Sequence, residues 1–120
     1  MKRILVVDDS AIGREIVTKV LGPAYEVVKA ASGEEALLKI GEITPDLVIL
    51  DLLMPGMDGF AVLGRLKEAV NLIPVIVLSA DIQKSTRTKV LDLGAVDMIN
   101  KPVDPETLHS TVAALLGEHP

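Results

Sequence analysis

The chain has 120 residues, enough for one domain with a buried core, and 49% of them are apolar. A net charge of -5 and only two aromatic residues argue against nucleic-acid binding, which uses basic surfaces and aromatic stacking. No Cys is available for disulfides or thiolate metal sites, and no apolar run approaches the roughly 20 residues that span a bilayer. The first predicted strand begins near Ile4, which leaves no room for a signal peptide. We therefore expect one cytoplasmic domain over residues 1–120 that binds neither nucleic acid nor membranes.

Apolar runs typical of strands alternate with segments of helical period along the whole chain. The predicted strands are Arg3–Asp8, Tyr25–Ala30, Asp46–Asp51, Pro74–Ser79 and Asp97–Lys101. Three helices are predicted from apolar stripes, which consist of Ile12, Ile16 and Val20 with Val17 and Leu21 beside them, then Phe60, Leu63, Leu66 and Val70, and then Leu108, Val112, Leu115 and Leu116. The other two helices are predicted at Glu34–Gly41 and Gln83–Leu93.

Several polar residues fit helix ends. Asp58 is expected to cap the helix that carries Phe60, and Asp104 followed by Pro105 is a favourable start for the last helix. Gly94 is expected to end the helix before it.

Strict alternation of strands and helices predicts a doubly wound α/β domain, with a five-stranded parallel sheet covered by helices on both faces. Ligands of such sheets bind outside the carboxyl ends of the strands. The chemically active residues fall at those ends, and they are Asp8, Asp9, Asp51, Ser79 and Lys101. Taken singly, each has a structural interpretation as a helix cap, a strand-end hydroxyl or a surface charge. Together they predict one site.

Four motifs in order resemble those of the receiver domain of two-component response regulators, and the resemblance covers essentially the whole chain. The motifs are Asp8-Asp9, Asp51 with Met54-Pro55-x-Met57-Asp58-Gly59, Ser79-Ala80, and Lys101-Pro102. The resemblance implies a flavodoxin-like strand order 2-1-3-4-5 and phosphorylation of Asp51 to 4-aspartylphosphate. The chain is similar to stand-alone receivers of the chemotaxis or sporulation-relay kind, or to a receiver cut from a larger protein.

The resemblance also implies a role for each site residue. Asp9 and Asp51 would bind Mg²⁺ directly, Asp8 would act through water, and Leu53 would contribute its backbone carbonyl. A divalent cation would relieve the repulsion among three neighbouring acids, and Mg²⁺ prefers such oxygen ligands.

Two further residues are expected to contact the phosphoryl group. Lys101 would pair with the phosphoryl oxygens and Ser79 would turn to hydrogen-bond one of them. A cis peptide bond before Pro102 is expected to aim Lys101, as in this family.

The implied partners are a phosphohistidine donor, on a sensor kinase or a phosphotransfer protein, and a downstream target protein. The protein would be a signalling switch rather than an enzyme, catalysing only its own phosphorylation and dephosphorylation. Leu53 and Asp81 are expected to tune the dephosphorylation rate by controlling access of water.

Two features depart from the family pattern. Met98 occupies the position where many receivers have a Tyr or Phe that turns inward on activation, so we expect a weaker or differently shaped switch. The last predicted helix, Asp104–Leu116, contains no Lys or Arg, which argues by analogy against the salt-bridged dimer of winged-helix regulators.

Three other functions are weighed against the phosphoacceptor switch. A flavodoxin-like electron carrier needs a phosphate-binding loop after the first strand, where this chain has Asp8-Asp9-Ser10. A haloacid-dehalogenase-type phosphatase needs an acid two residues after the nucleophile, where this chain has Leu53. A pseudo-receiver, which only docks partners, typically lacks one of the acids or the Lys, and this chain keeps them all.

Overall fold

The computed structural model describes residues 1–117, in which five strands and five α-helices alternate. The strands are β1 (Arg3–Val7), β2 (Glu26–Ala30), β3 (Leu47–Asp51), β4 (Val75–Ser79) and β5 (Asp97–Asn100). The helices are α1 (Ala11–Leu21), α2 (Gly33–Ile43), α3 (Gly59–Glu68), α4 (Lys84–Asp92) and α5 (Pro105–Leu115). A short 3₁₀ helix, Gly22–Ala24, joins α1 to β2. Every predicted element is present, with bounds that differ by a few residues.

The strands form one parallel sheet in the order β2-β1-β3-β4-β5, as the resemblance implied. In β1, Val6 is paired with Lys29 of β2 on one side and Ile49 of β3 on the other. In β4, Leu78 is paired with Asp51 and Ile99. This order brings the carboxyl ends of β1 and β3 together, with β4 and β5 beside them.

Alternate strand residues face two separate parts of the core, since side chains of a strand point to opposite faces. Leu5, Val48 and Val77 pack with residues of α2, α3 and α4 on one face. Ile4, Ile49 and Ile76 pack with residues of α1 and α5 on the other. Strands β3 and β4 are buried along their whole length, which explains their uninterrupted apolar sequences.

The predicted helix ends are confirmed. The Asp58 side chain accepts a hydrogen bond from the Ala61 amide at 2.9 Å, and the Asp104 side chain accepts one from the Thr107 amide at 3.1 Å. Gly94 follows α4 with a φ of 103°, a left-handed conformation that favours glycine.

The apolar stripe predicted for α1 was wrong. Ile12 and Ile16 are 74% and 51% exposed, whereas Val17 and Leu21 are buried and face the sheet. Val20, the third residue of the stripe, is partly buried and packs against the core, so the prediction failed at Ile12 and Ile16. The residues of α1 that are fully buried, Val17 and Leu21, are spaced by four.

Smaller corrections apply to two other stripes. Val70 lies beyond the end of α3 and is exposed, and the core position that the stripe missed is Val62. Leu115 of α5 is also exposed, while Leu108 and Val112 are buried as predicted. Among residues 1–117, no helix has the length and apolar character needed to cross a membrane.

Candidate functional site

Three carboxylates meet where β1 and β3 end. Asp8 and Asp9 follow β1, and Asp51 is the last residue of β3. Each offers a carboxylate oxygen, and these oxygens lie within 4.8 Å of one another. Asp8 is only 4% exposed and Asp51 only 7%, whereas Asp9 is exposed. The structure thus brings together the three acids that the sequence predicted.

Lys101 supplies the positive charge of the cluster. It follows β5, and its amide donates a hydrogen bond to the Ser79 carbonyl at 2.8 Å, which continues the pairing of β4 with β5. Its Nζ lies 3.0 Å from Oδ1 of Asp51 and 3.6 Å from Oδ2 of Asp8. The peptide bond between Lys101 and Pro102 is cis, as expected.

The environment of Asp51 disfavours its charged form. Burial is the main cause that raises the pKa of this carboxyl, and the charges of Asp8 and Asp9 raise it further. The hydrogen bond and the charge of Lys101 act in the opposite direction, but the pKa stays above its ordinary value. A second cation at the cluster would therefore favour the ionised carboxylates.

The start of α1 holds Asp8 in place. The Ser10 amide donates to Oδ1 of Asp8 at 2.9 Å, and the Arg14 guanidinium donates to the Asp8 carbonyl at 2.7 Å. Ser10 also caps the helix, because its Oγ accepts from the Gly13 amide at 3.1 Å. Sequence reasoning missed Arg14; only its position in the first turn of the helix after the acidic pair could have indicated this contact.

Ser79 is buried at the end of β4 and is connected to α4 through a chain of hydrogen bonds. Its Oγ accepts from the Asp81 amide at 3.0 Å. The Asp81 carboxylate accepts from the Thr86 hydroxyl at 2.6 Å and from the Gln83 amide at 3.0 Å, and these bonds lower the pKa of Asp81. Thr86 is buried in α4 and was not singled out in the sequence. Its five-residue separation from Asp81 alone gave no signal of the contact.

Leu53 and Met98 are the two remaining residues that the sequence singled out. Leu53 stands two residues after Asp51 with an exposed side chain. Met98, on β5, is buried in the core, and its carbonyl accepts a hydrogen bond from Arg87 of α4 at 3.1 Å.

The donor set of the cluster fits a hard divalent cation. Its three candidate ligands are all carboxylates, and such oxygen donors select Mg²⁺, Ca²⁺ or Mn²⁺ over the softer transition metals. The cluster combines a buried acid able to act as a nucleophile, acids that could bind a metal, and a fixed ammonium group.

The family model described as "Response regulator receiver domain" matches residues 4–113. Among curated proteins, the chain is 45% identical over 106 residues to a protein-glutamate methylesterase/protein-glutamine glutaminase of Syntrophomonas wolfei, covering 84% of this chain and 30% of that protein. It is 36% identical over 119 residues to the alkaline phosphatase synthesis transcriptional regulatory protein PhoP of Bacillus subtilis, covering 96% of this chain and 48% of that protein. The chain thus spans between about a third and a half of these relatives.

Solved structures of similar size share the fold. The chemotaxis protein CheY4 of Vibrio cholerae superposes with a TM-score of 0.87 at 33% identity, over 96% of this chain and 98% of that one. A putative response regulator from Chloroflexus aurantiacus superposes with a TM-score of 0.90 at 36% identity, over 98% of both chains. With the acidic cluster, Ser79 and Lys101 in one place and the family model matching nearly the whole length, the chain belongs to the response regulator receiver domains.

Proposed function

We propose that this receiver domain is a phosphoacceptor switch in which Asp51 takes a phosphoryl group from a phosphohistidine on a sensor kinase or phosphotransfer protein. The observation that carries the proposal is the position of Asp51. It is buried at the end of β3, with Asp8 and Asp9 beside it and Nζ of Lys101 at 3.0 Å. A carboxylate at this buried position does not stabilise the fold, because burying a charge is costly, and its presence therefore indicates a chemical role.

In the proposed transfer, an oxygen of the Asp51 carboxylate attacks the phosphorus atom as the bond from phosphorus to the donor imidazole nitrogen breaks. The bonding electron pair stays on that nitrogen, and the imidazole takes up a proton from solvent. The product is an acyl phosphate on Asp51. Lys101 would offset negative charge on the transferred oxygens, which is the main requirement of phosphoryl transfer.

Mg²⁺ is the cofactor we propose for the acidic cluster. Asp9 and Asp51 would bind it directly, Asp8 through water, and Leu53 through its backbone carbonyl. When bound, the ion supplies positive charge at the transferred oxygens and at the crowded carboxylates. The protein's part is to hold these acids close together, with Asp8 fixed by Ser10 and Arg14.

Phosphorylation would change the loop between β4 and α4. If the Ser79 hydroxyl turns to a phosphoryl oxygen, the Asp81 amide loses the acceptor that it now uses at 3.0 Å. The Asp81 carboxylate in turn accepts a hydrogen bond from Thr86 of α4, so the start of α4 would be freed from this bond or would shift with Asp81. Met98 is already buried, so we expect no inward turn of a side chain at this position and hence a switch shaped differently from that of aromatic receivers.

The changed surface of α4, β5 and α5 would bind a downstream target protein, and hydrolysis of the acyl phosphate would reset the switch. Leu53 and Asp81, which flank the site, would control access of water to the phosphoryl group.

We propose that the domain works in the cytoplasm, as a single unit over residues 1–120, without further enzymatic activity of its own and without contacting nucleic acid or membranes. Membership in the receiver family leaves no support for the electron-carrier and phosphatase alternatives.

The test is the intact mass of the protein after incubation with phosphoramidate and Mg²⁺. We expect one added phosphoryl group, absent from Asp51→Asn and from samples without a divalent cation. Asp58→Asn, a conservative change at a helix cap, is the matched control and should be phosphorylated normally. If the protein takes up no phosphoryl group and binds no beryllofluoride, it is a pseudo-receiver and the proposal is wrong.

A further inference from the structure

Gly13, in the first turn of α1, lies unusually close to a side chain of the acidic cluster. A Cβ atom added to Gly13 would stand 2.9 Å from Cγ of Asp8 and closer still to its Oδ2. Both distances are too short for real Cβ atoms, so either Gly13 or the Asp8 carboxylate would have to move. A Cβ added to Gly41 or Gly64, which also lie in helices, would meet no atom within 4 Å.

The identity of the neighbour distinguishes Gly13 from the other crowded glycines. A Cβ on Gly33 would approach the Met57 carbonyl oxygen, and one on Gly59 would approach the backbone of Leu52. The Gly33 position is also crowded by the Met57 side chain and the Gly59 position by the Asp51 carbonyl oxygen, but neither glycine meets a carboxylate. At Gly13 the three nearest atoms are all in the carboxylate group of Asp8. A glycine within a helix is less favourable than alanine, so glycine at position 13 lowers the stability of α1. The nearby Asp8 carboxylate explains why a larger residue would not fit there.

The Asp8 carboxylate is held on its other sides. Its Oδ1 accepts from the Ser10 amide at 2.9 Å, and its Oδ2 lies 3.6 Å from Nζ of Lys101. The group is almost fully buried. A methyl group on residue 13 would therefore displace the carboxylate from these contacts and from its place within 4.8 Å of Asp9 and Asp51.

We infer that Gly13 is a positioning residue, whose missing side chain lets the Asp8 carboxylate lie in the acidic cluster. The inference rests on the proposed cation site, because the purpose of that placement is to complete the set of acids. Gly13 touches no substrate or ion itself and acts only through Asp8. Alanine at this position would favour the helix and disturb the cluster.

The first test is a stability cycle on the metal-free protein. Gly64→Ala should raise the melting temperature by about 2 to 6 °C, because alanine suits a helix better. Gly13→Ala should give no such rise in the native sequence, but should give it in an Asp8→Ala background, where the obstructing carboxylate is gone. Equal rises in both backgrounds would overturn the inference.

The second test is Mg²⁺ affinity, measured by titration of amide NMR signals. Gly13→Ala should weaken binding by about 10- to 100-fold, the usual effect of disturbing the surroundings of metal ligands, while Gly64→Ala should leave it unchanged. If the native protein binds Mg²⁺ and Gly13→Ala binds it equally well, the inference is wrong and the proposed function stands. If the native protein binds no Mg²⁺, the proposed cation site fails, and the stability cycle alone decides whether Gly13 places Asp8.

Discussion

The two edges of the sheet carry charged residues in opposite settings. At the amino edge, Arg3 and Glu26 form an ion pair of 3.2 Å between half-exposed side chains. At the carboxyl edge, Asp8 and Asp51 are both buried, and Nζ of Lys101 lies 3.6 Å from the first carboxylate and 3.0 Å from the second. Exposed pairs contribute little to stability, and buried charges oppose it. The charges of the amino edge are therefore ordinary surface charges, whereas the carboxyl edge keeps a costly arrangement that serves the chemistry of the site.

The largest effect is expected from removing the positive charge of the carboxyl edge. Lys101→Met should lower the rate of phosphoryl uptake from phosphoramidate by about 100-fold or more, since Nζ of Lys101 lies 3.0 Å from the Asp51 carboxylate and would offset the charge that develops on the transferred oxygens. The control is Lys19→Met, an exposed lysine in the last turn of α1. Comparable rates for the two variants would show that Lys101 has no part in the transfer.

A stability measurement would show the cost of the buried acid directly. Burial raises the pKa of Asp51, so the folded state binds a proton more tightly than the unfolded chain. The contribution of this carboxyl to stability is therefore fully present below its ordinary pKa and is lost as the pH rises through the raised pKa. Metal-free Asp51→Asn should therefore melt at a higher temperature than the native protein at pH 7, and the difference should vanish below the ordinary pKa of 3.8.

Added Mg²⁺ should reverse this order of melting temperatures. The ion binds and stabilises the native protein, whereas Asp51→Asn lacks one of the carboxylates that would bind it. Thermal melts at several pH values with and without Mg²⁺ would measure both effects. A metal-free Asp51→Asn that is less stable at pH 7 would mean that the pair with Lys101 outweighs burial.

A moderate effect is expected where the carboxyl edge meets α4. Thr86→Val removes the hydroxyl that donates to Asp81 while keeping the shape, so amide exchange at Asp81 and Gln83 should speed up about tenfold. The pKa of Asp81 should rise toward its ordinary value. NMR measures both, and Thr88→Val, an exposed threonine in the same helix, is the control. Unchanged exchange would mean that Thr86 does not hold the loop.

The smallest effect is expected at the amino edge. Glu26→Gln removes one charge of the exposed pair with Arg3 and should change the free energy of unfolding by less than about 1 kcal/mol. It should leave phosphoryl uptake unchanged. A loss of several kcal/mol in urea unfolding would erase the contrast between the two edges.

The sequence predicted the strand-end acids of the carboxyl edge better than the packing of the helices. Continuous apolar runs define β1, β3 and β4, and the acids that end the first two runs had to lie at the carboxyl edge, so the places of Asp8 and Asp51 were accessible. The strand order came from the resemblance to receiver domains. The buried row of α1 was not, because Ile12 and Ile16 form as good an apolar row as Val17 and Leu21 until the position of the helix on the sheet is known. Contacts such as Thr86 with Asp81 depend on loop geometry, which leaves no periodic signal in the sequence.

The phosphoacceptor switch is tested most directly by an amide NMR spectrum recorded before and after addition of Mg²⁺ and beryllofluoride, which mimics the phosphoryl group on an aspartate. We expect the large changes to cluster at Asp51, Ser79, Asp81 and Lys101 and to reach α4 through Thr86, while signals at Arg3 and Glu26 stay in place. An unchanged spectrum, or changes spread equally over both edges of the sheet, would contradict it.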